Sequence, residues 1–376
     1  MPTPTTPSSA ATRRHNLSRR TFLTSTATAT TTAILATPAL LTAAKTDSRP
    51  TVGQGDYVYS VDHHWAQLPE RYTWQTTHNV AIDSNGLVYI IHEGDARQKE
   101  HPSIFVFDTE GNFVRAFGEQ YQGGGHGLEV HREGSDQFLY ITAYQHLKTF
   151  TKTDLKGERV WQKWAPMEAG IYAENEGSAP TGQWGRDRFM PTNTAFHPEG
   201  GFYLADGYGA WCVHRYDAHG KWLSKFGSVG TGDGQFQTPH GIWIDDRRGR
   251  SPSVVVADRA NGRLQWFSLD GEHQHTMDGF FLPANIDTFG ELMLIPDLQA
   301  RVTLLDGDNN IVAQLGDDEA WRGEVMKDNR AMRSHPDQWQ AGRFIHPHDA
   351  CFDHDGNIFV AEWVAGGRIT KMTRHA

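Results

Sequence analysis

Six stretches of this 376-residue chain repeat one pattern. They are "THNVAIDSNGLVYIIHEGD" from Thr77, "GHGLEVHREGSDQFLYITAYQ" from Gly125, "PTNTAFHPEGGFYLADGYG" from Pro191, "PHGIWIDDRRGRSPSVVVADRANGR" from Pro239, "PANIDTFGELMLIPDLQAR" from Pro283 and "PHDACFDHDGNIFVAEWVAGGR" from Pro347. Each runs alternating residues into a Gly-containing turn, then an apolar strand that ends near an acid. Period-two alternation with Asp-Gly, Asn-Gly or His-Gly turns specifies short antiparallel strands and argues against helices. Self-similarity of this kind marks a repeat architecture in which each unit buries its apolar faces against its neighbours.

The residue at the start of each first strand serves as a marker: His78, His126, Thr192, His240, Ala284 and His348. Six markers predict an all-β, six-bladed β-propeller. The sixth unit stops at "GRITKMTRHA", before an outermost strand can form. "DYVYSVDHHW", ahead of the first unit, is expected to supply that strand and close the ring, because closure removes exposed sheet edges. Two intervals are long and hold extra segments, 168–189 and 317–344, expected as loops or short helices over one face. Residues 57–376 are thus expected to form a single propeller domain, preceded by a linker over 45–56.

Residues 1–44 read as a targeting segment: Arg19 and Arg20 stand in "NLSRRTFL", a weakly apolar Ala/Thr stretch follows, and "LLTAA" offers small residues for cleavage. The segment resembles a twin-arginine export signal, so a periplasmic or extracellular location is expected. No other apolar run is long enough to span a bilayer. The formal charge is −10, and the first 44 residues contribute four arginines and no acid, so nucleic acid and anionic membranes are poor partners. A monomer that takes a small-molecule or peptide substrate is expected. The two cysteines, Cys212 and Cys351, fall in the third and sixth repeats on opposite sides of the ring, too far apart for a disulfide.

Innermost propeller strands begin at the mouth of a shared channel, so equivalent positions of different blades converge there. Four of the six markers are histidine, where random placement of 20 histidines in 376 residues gives about 0.3. Converging imidazoles are what a borderline divalent cation needs, and three nitrogens with an open fourth position describe a catalytic zinc-type centre. Residues ending the second strands rim the same mouth. The acids Asp206, Asp258 and Glu362 recur between repeats and read as turn-forming. Tyr208 and Arg259 break the repeat: a phenol beside a metal can move a proton, and a guanidinium can hold a carboxylate or steady an oxyanion. Asp349, next to His348, can hold a harder cation through oxygen.

These repeats are recognisable as NHL type over nearly all of the chain after residue 56. "PTNTAFHPEGGFYLADGYG", "TPHGIWID", "ADRANGRLQWF" and "PHDACFDHDGNIFVAE" resemble the peptidylglycine α-amidating lyase family. That resemblance implies cleavage of a peptidyl-α-hydroxyglycine to a peptide amide and glyoxylate. It also implies a zinc ion on His126, His240 and His348, and a structural calcium ion on the Asp349 carboxylate and the Val80 and Leu128 carbonyls. Tyr208 matches the family's proposed catalytic tyrosine and Arg259 one of two pocket arginines. Where the family reads His-Arg-Gly-Asp, this chain reads "HEGD", so Glu93 replaces the second arginine. His78 adds a fourth channel imidazole, and His346 stands where the family tends to have methionine. Glu93 is therefore a candidate second acid/base or a further metal ligand. A metal-dependent hydrolase or lyase for another substrate, or a non-catalytic NHL binding scaffold, are the other readings that the residues leave open.

Overall fold

A computed structural model describes residues 49–178 and 180–375. Six antiparallel sheets follow one another along the chain and close into a six-bladed β-propeller. Blade 1 runs from Thr77–Ile82 to Phe113–Phe117, blade 2 from Gly125–Glu133 to Arg159–Lys163 and blade 3 from Thr194–Phe196 to Trp222–Phe226. Blades 4 and 5 run from Pro239–Asp245 to His273–Asp278 and from Asp287–Phe289 to Ile311–Leu315. Blade 6 comprises Pro347–Phe352, Ile358–Glu362 and Arg368–Arg374, and its next strand is the N-terminal Tyr57–Asp62, paired with Arg374 through Lys371. The strand Tyr57–Asp62 and the last strand of the sixth repeat are thus joined within one sheet, as the incomplete sixth repeat required.

The hairpins form for a local reason. Asp83, Asp108, Asp154, Asp217, Asp306 and Asp353 each accept, through one carboxylate oxygen, the N–H groups two and four residues ahead. This side-chain turn fixes the reversal between strands. The apolar residues of each strand then point to the two faces of the blade and pack against the neighbouring blades. Val80, Ile90 and Phe105 of blade 1 meet Cys351 and Phe359 of blade 6, while Val254 and Val256 of blade 4 meet Tyr203 and Val213 of blade 3. The core is a ring of inter-blade layers and leaves the central channel free for polar side chains.

The expected linker over 45–56 is in part a strand. Thr51–Gln54 pairs with Tyr57–Ser60 across the two-residue loop Gly55-Asp56, with Gly55 at φ +59°. Val52 is buried against blade 5 residues such as Leu315, which is why this edge is ordered into a fifth strand of blade 6. The remaining linker residues 45–48 and the expected export signal over 1–44 lie outside the described residues. Among the described residues no helix is long and apolar enough to cross a membrane. Cys212 and Cys351 are free and buried, as expected.

Both long intervals fold over the channel mouth. In the first, Lys148 of blade 2 is fully buried and donates to both oxygens of Glu176 at 3.2 Å and to the Gln183 carbonyl at 2.8 Å. The second holds a helix, α1 (Glu319–Arg330), capped by Asp318 and pinned by a hydrogen bond from Trp321 Nε1 to the Phe344 carbonyl at 2.7 Å.

Blade 3 carries a buried polar chain that makes stability depend on pH. Trp222 Nε1 donates to His214 Nδ1 at 3.1 Å, so the ring's proton sits on Nε2, facing the Tyr172 oxygen, and Tyr172 donates to Asp206. Protonating Nδ1 would set one N–H against another. Burial, with help from Lys225, lowers the His214 pKa to about 3. A base depressed in the folded state contributes stability above its unfolded value near 6.5 that is lost as pH falls toward 3, at about 1.4 kcal/mol per pKa unit. Asp206, which burial raises to about 6, acts in the opposite sense. The urea midpoint is therefore expected to fall less between pH 7 and pH 4 in His214→Gln than in the wild type; identical slopes would contradict this.

Candidate metal centre

Each channel histidine sits in a β-bulge. Pairing between the first two strands of a blade shifts register between Thr77 and Asn79, Gly125 and Leu128, Pro239 and Ile242, and Pro347 and Asp349. His78, His126, His240 and His348 occupy those breaks. A bulge re-aims a side chain out of the strand's alternation, and here it frees four imidazoles from the blade faces. Glycine follows two of them because neighbouring backbone is close: a Cβ on Gly127 would lie 2.3 Å from the Thr192 carbonyl oxygen, and one on Gly241 2.4 Å from Asn285 Cα. The acids ending the second strands hold the approach to these positions. Asp258 accepts from the Gln237 N–H, Glu362 from the Ile345 N–H and Asp206 from the Met190 N–H. They are structural, as their recurrence implied.

The four rings form one cluster. Neighbouring centroids lie 4.8 Å apart for His78 and His126, 4.5 Å for His78 and His348, 4.8 Å for His126 and His240, and 4.7 Å for His240 and His348. Ligand atoms of His78, His126 and His348 all lie within 4.8 Å of one another, and the Nε2 atoms of His126 and His240 are 3.1 Å apart. Three Nδ1 atoms donate to backbone carbonyls: His126 to Thr192 at 2.9 Å, His240 to Ala284 at 2.6 Å and His348 to His78 at 2.7 Å. A carbonyl only accepts, so each of these rings carries its proton on Nδ1 and is bare at Nε2.

The His126 and His240 contact therefore sets one lone pair against another. The single Tyr208 hydroxyl, 3.2 Å and 2.9 Å from the two nitrogens, can donate to only one of them. A proton or a metal ion resolves the repulsion. Burial holds His126, His240 and His348 well below the ordinary histidine pKa, and neighbouring cationic groups, Arg259 among them, lower them further. A proton is thus disfavoured, and the donor set fits a divalent transition metal.

Tyr208 and Arg259 lie beside the imidazole cluster. The Arg259 guanidinium donates to the Tyr208 oxygen at 3.3 Å and lies 5.1 Å from its ring centroid. Burial raises the Tyr208 pKa despite Arg259, so the phenol is protonated at neutral pH. Glu93 takes a different course from an open pocket anion. It lies 3.2 Å from His78 Nε2 and accepts from Gln145. Burial works against its charge, but hydrogen bonds from His78, Tyr144 and Gln145 outweigh it and keep the carboxyl below the usual range. Glu93 thus positions His78, whose Nδ1 is buried without a hydrogen-bond partner among the described residues. His346 is buried, with Nδ1 on the Leu298 carbonyl at 2.6 Å and its ring against Trp363.

Beside this cluster opens a cavity of about 330 Å³, lined by Tyr144, Trp184, Tyr208, Arg259, Arg330, His348 and Trp363, among others. Trp184 and Arg330 come from the two long intervals. Repeat register says nothing about them, and no signal in the sequence singled them out.

A second cavity, of about 290 Å³, is lined by Val80, Glu129, Asn285, Asp287 and Asp349. Asp349 accepts from the Val80 N–H at 2.8 Å and from the Asn285 amide. Burial pushes Asp349 and Asp287 up to about 7, and burial with repulsion from both drives Glu129 well above its ordinary value. Leu128, adjacent to Glu129, is fully buried. The buried carboxyls of Asp349 and Glu129, the half-buried one of Asp287 and the Asn285 Oδ1, which has no hydrogen-bond partner among the described residues, are oxygen donors suited to a hard cation. Glu129 and Asp287 were not legible as members of this group, since their blades give no acid pattern at those positions.

No family model matches the chain. It is 31% identical over 237 residues to NHL repeat-containing protein 3 of Mus musculus, across 60% of this chain and 61% of that protein. Over 311 residues it is 23% identical to the mouse peptidyl-glycine alpha-amidating monooxygenase, covering 75% of this chain and 29% of the relative. The chain thus spans less than two thirds of either relative. Among solved structures, a gluconolactonase from Xanthomonas campestris superposes with a TM-score of 0.55 at 12% identity, over 87% of this chain and 95% of that one, a likeness of fold alone. Homologues of this six-bladed β-propeller are accordingly NHL repeat-containing proteins and peptidylglycine α-amidating monooxygenases.

Proposed function

We propose that the protein is an exported metal-dependent enzyme of the amidating-lyase type, acting on a small molecule or peptide with a hydroxyl beside a scissile C–N bond. The observation that carries this reading is the opposed pair of bare Nε2 atoms, 3.1 Å apart, with the one Tyr208 hydroxyl within 3.2 Å of each and Arg259 donating to its oxygen. A divalent transition metal, zinc being the one the resemblance implies, would be held by His126, His240 and His348 with His78 adjoining, and would supply Lewis-acid polarisation of a substrate oxygen. A calcium ion at Asp349, with the Val80 and Leu128 carbonyls, is proposed as structural.

The chain's own groups account for the proton movement. Breaking the C–N bond of an α-hydroxyglycine turns its C–OH into C=O, removes one proton from oxygen and requires one on nitrogen. Tyr208, protonated at rest, gives its proton to the leaving nitrogen and takes the hydroxyl's, so it ends unchanged. Arg259 stabilises the phenolate character that this exchange passes through. Glu93 acts through His78 and is a positioning residue. Export follows from the paired arginines near the N-terminus and is part of the proposal.

The test is glyoxylate release from an α-hydroxyglycine peptide by protein purified without chelators. The proposal expects metal-dependent release; metal-loaded protein that releases none would move the reading to another substrate or to a binding scaffold.

A further inference from the structure

The cavity beside the histidines holds an uncompensated charge. Two guanidiniums line it, Arg259 from blade 4 and Arg330 from the end of α1, and no acidic residue lines it. Arg259 bonds through its side chain to the Tyr208 hydroxyl, and among the described residues neither arginine is paired with a carboxylate. Glu93, the acid nearest the rings, is engaged by His78 and Gln145. Cations kept free of carboxylates in a walled site favour an anionic ligand.

Arg330 is also held in place by the backbone. Asp328, Asn329 and Arg330 have φ of +49°, +54° and +66°, three successive non-glycine residues in the left-handed region. Asp and Asn tolerate that region but arginine rarely enters it, and such conformations persist where surrounding structure over-determines them, often at ligand clamps. Both arginines of this segment approach Trp363: the Arg330 guanidinium is 5.5 Å from its ring centroid and that of Arg333 is 3.4 Å away. Trp184, Leu282 and Leu298 give the same cavity an apolar wall.

We infer that Arg330 and Arg259 form a two-guanidinium clamp for the carboxylate of a substrate whose neighbouring group is apolar. The clamp deepens the enzymatic reading above and rests on it for the word substrate. It also supplies, from a segment outside the repeats, a second cation where Glu93 removes one from the blades.

The experiment measures binding of N-benzoylglycine and of its neutral amide to the purified full chain by calorimetry. Wild type is expected to prefer the carboxylate by about tenfold or more, since a hydrogen bond to a charged group is worth roughly a factor of 10–100. Arg330→Gln is expected to lose about that factor for the carboxylate alone, with the amide, melting temperature and metal content unchanged, and Arg330→Lys to recover part of it. Equal carboxylate affinity in wild type and Arg330→Gln, equal losses for both ligands, or no carboxylate binding by wild type would each overturn the clamp. Carboxylate preference without glyoxylate release would uphold the clamp while overturning the lyase reading. Release with no effect of Arg330→Gln on binding would do the reverse.

Discussion

His240→Ala is expected to leave the propeller folded and to strip its transition metal. His240 contributes one of two bare nitrogens 3.1 Å apart, and its tautomer is set by the Ala284 carbonyl. Removing a partner that merely orients a ligand costs about 10–100-fold in metal affinity, so loss of a ligand should exceed that and abolish turnover. The blade should survive, because the ring sits in a bulge facing the channel and outside the inter-blade apolar layers. Metal content and a thermal melt on the same sample check both halves. Retention of metal at the wild-type level would remove His240 from the centre and leave the group formed by His78, His126 and His348.

Tyr208→Phe should separate chemistry from metal binding. The substitution removes one oxygen that lies 3.2 Å and 2.9 Å from two imidazole nitrogens and accepts from Arg259. If the phenol carries the proton between substrate oxygen and nitrogen, kcat should fall by about 10²–10⁴-fold, the usual range for general acid–base catalysis, with metal content unchanged. KM should move little, because the ring and its apolar surroundings remain. A kcat within about twofold of wild type would place proton transfer elsewhere, with Glu93 and His78 the next pair to change.

Much of this architecture was open to inspection in the sequence because its causes are local and recur. Gly-containing turns between period-two strands recur through the six repeats, and the missing last strand of the sixth repeat pointed to Tyr57–Asp62. The convergence of His78, His126, His240 and His348 followed from their equivalent positions. Other features depend on what a side chain meets after folding. Glu93 reads as a repelling charge in the pocket until the fold gives it His78 and Gln145. Arg330 and Trp184 lie in segments without repeat register, and only α1, its left-handed end and the Lys148 anchor bring them to the mouth. The strand Thr51–Gln54 is four residues long with one buried side chain, too short for alternation to identify. Asp287 and Glu129 join Asp349 only because three blades meet on the axis.

Metal analysis of the wild-type chain, purified without chelators and shown to be folded, bears most directly on the claim that these histidines form a metal centre. About one equivalent of a divalent transition metal per chain is predicted, as a single cluster of imidazoles can hold. A folded wild-type protein with no bound transition metal, and none taken up on addition of zinc, would contradict it.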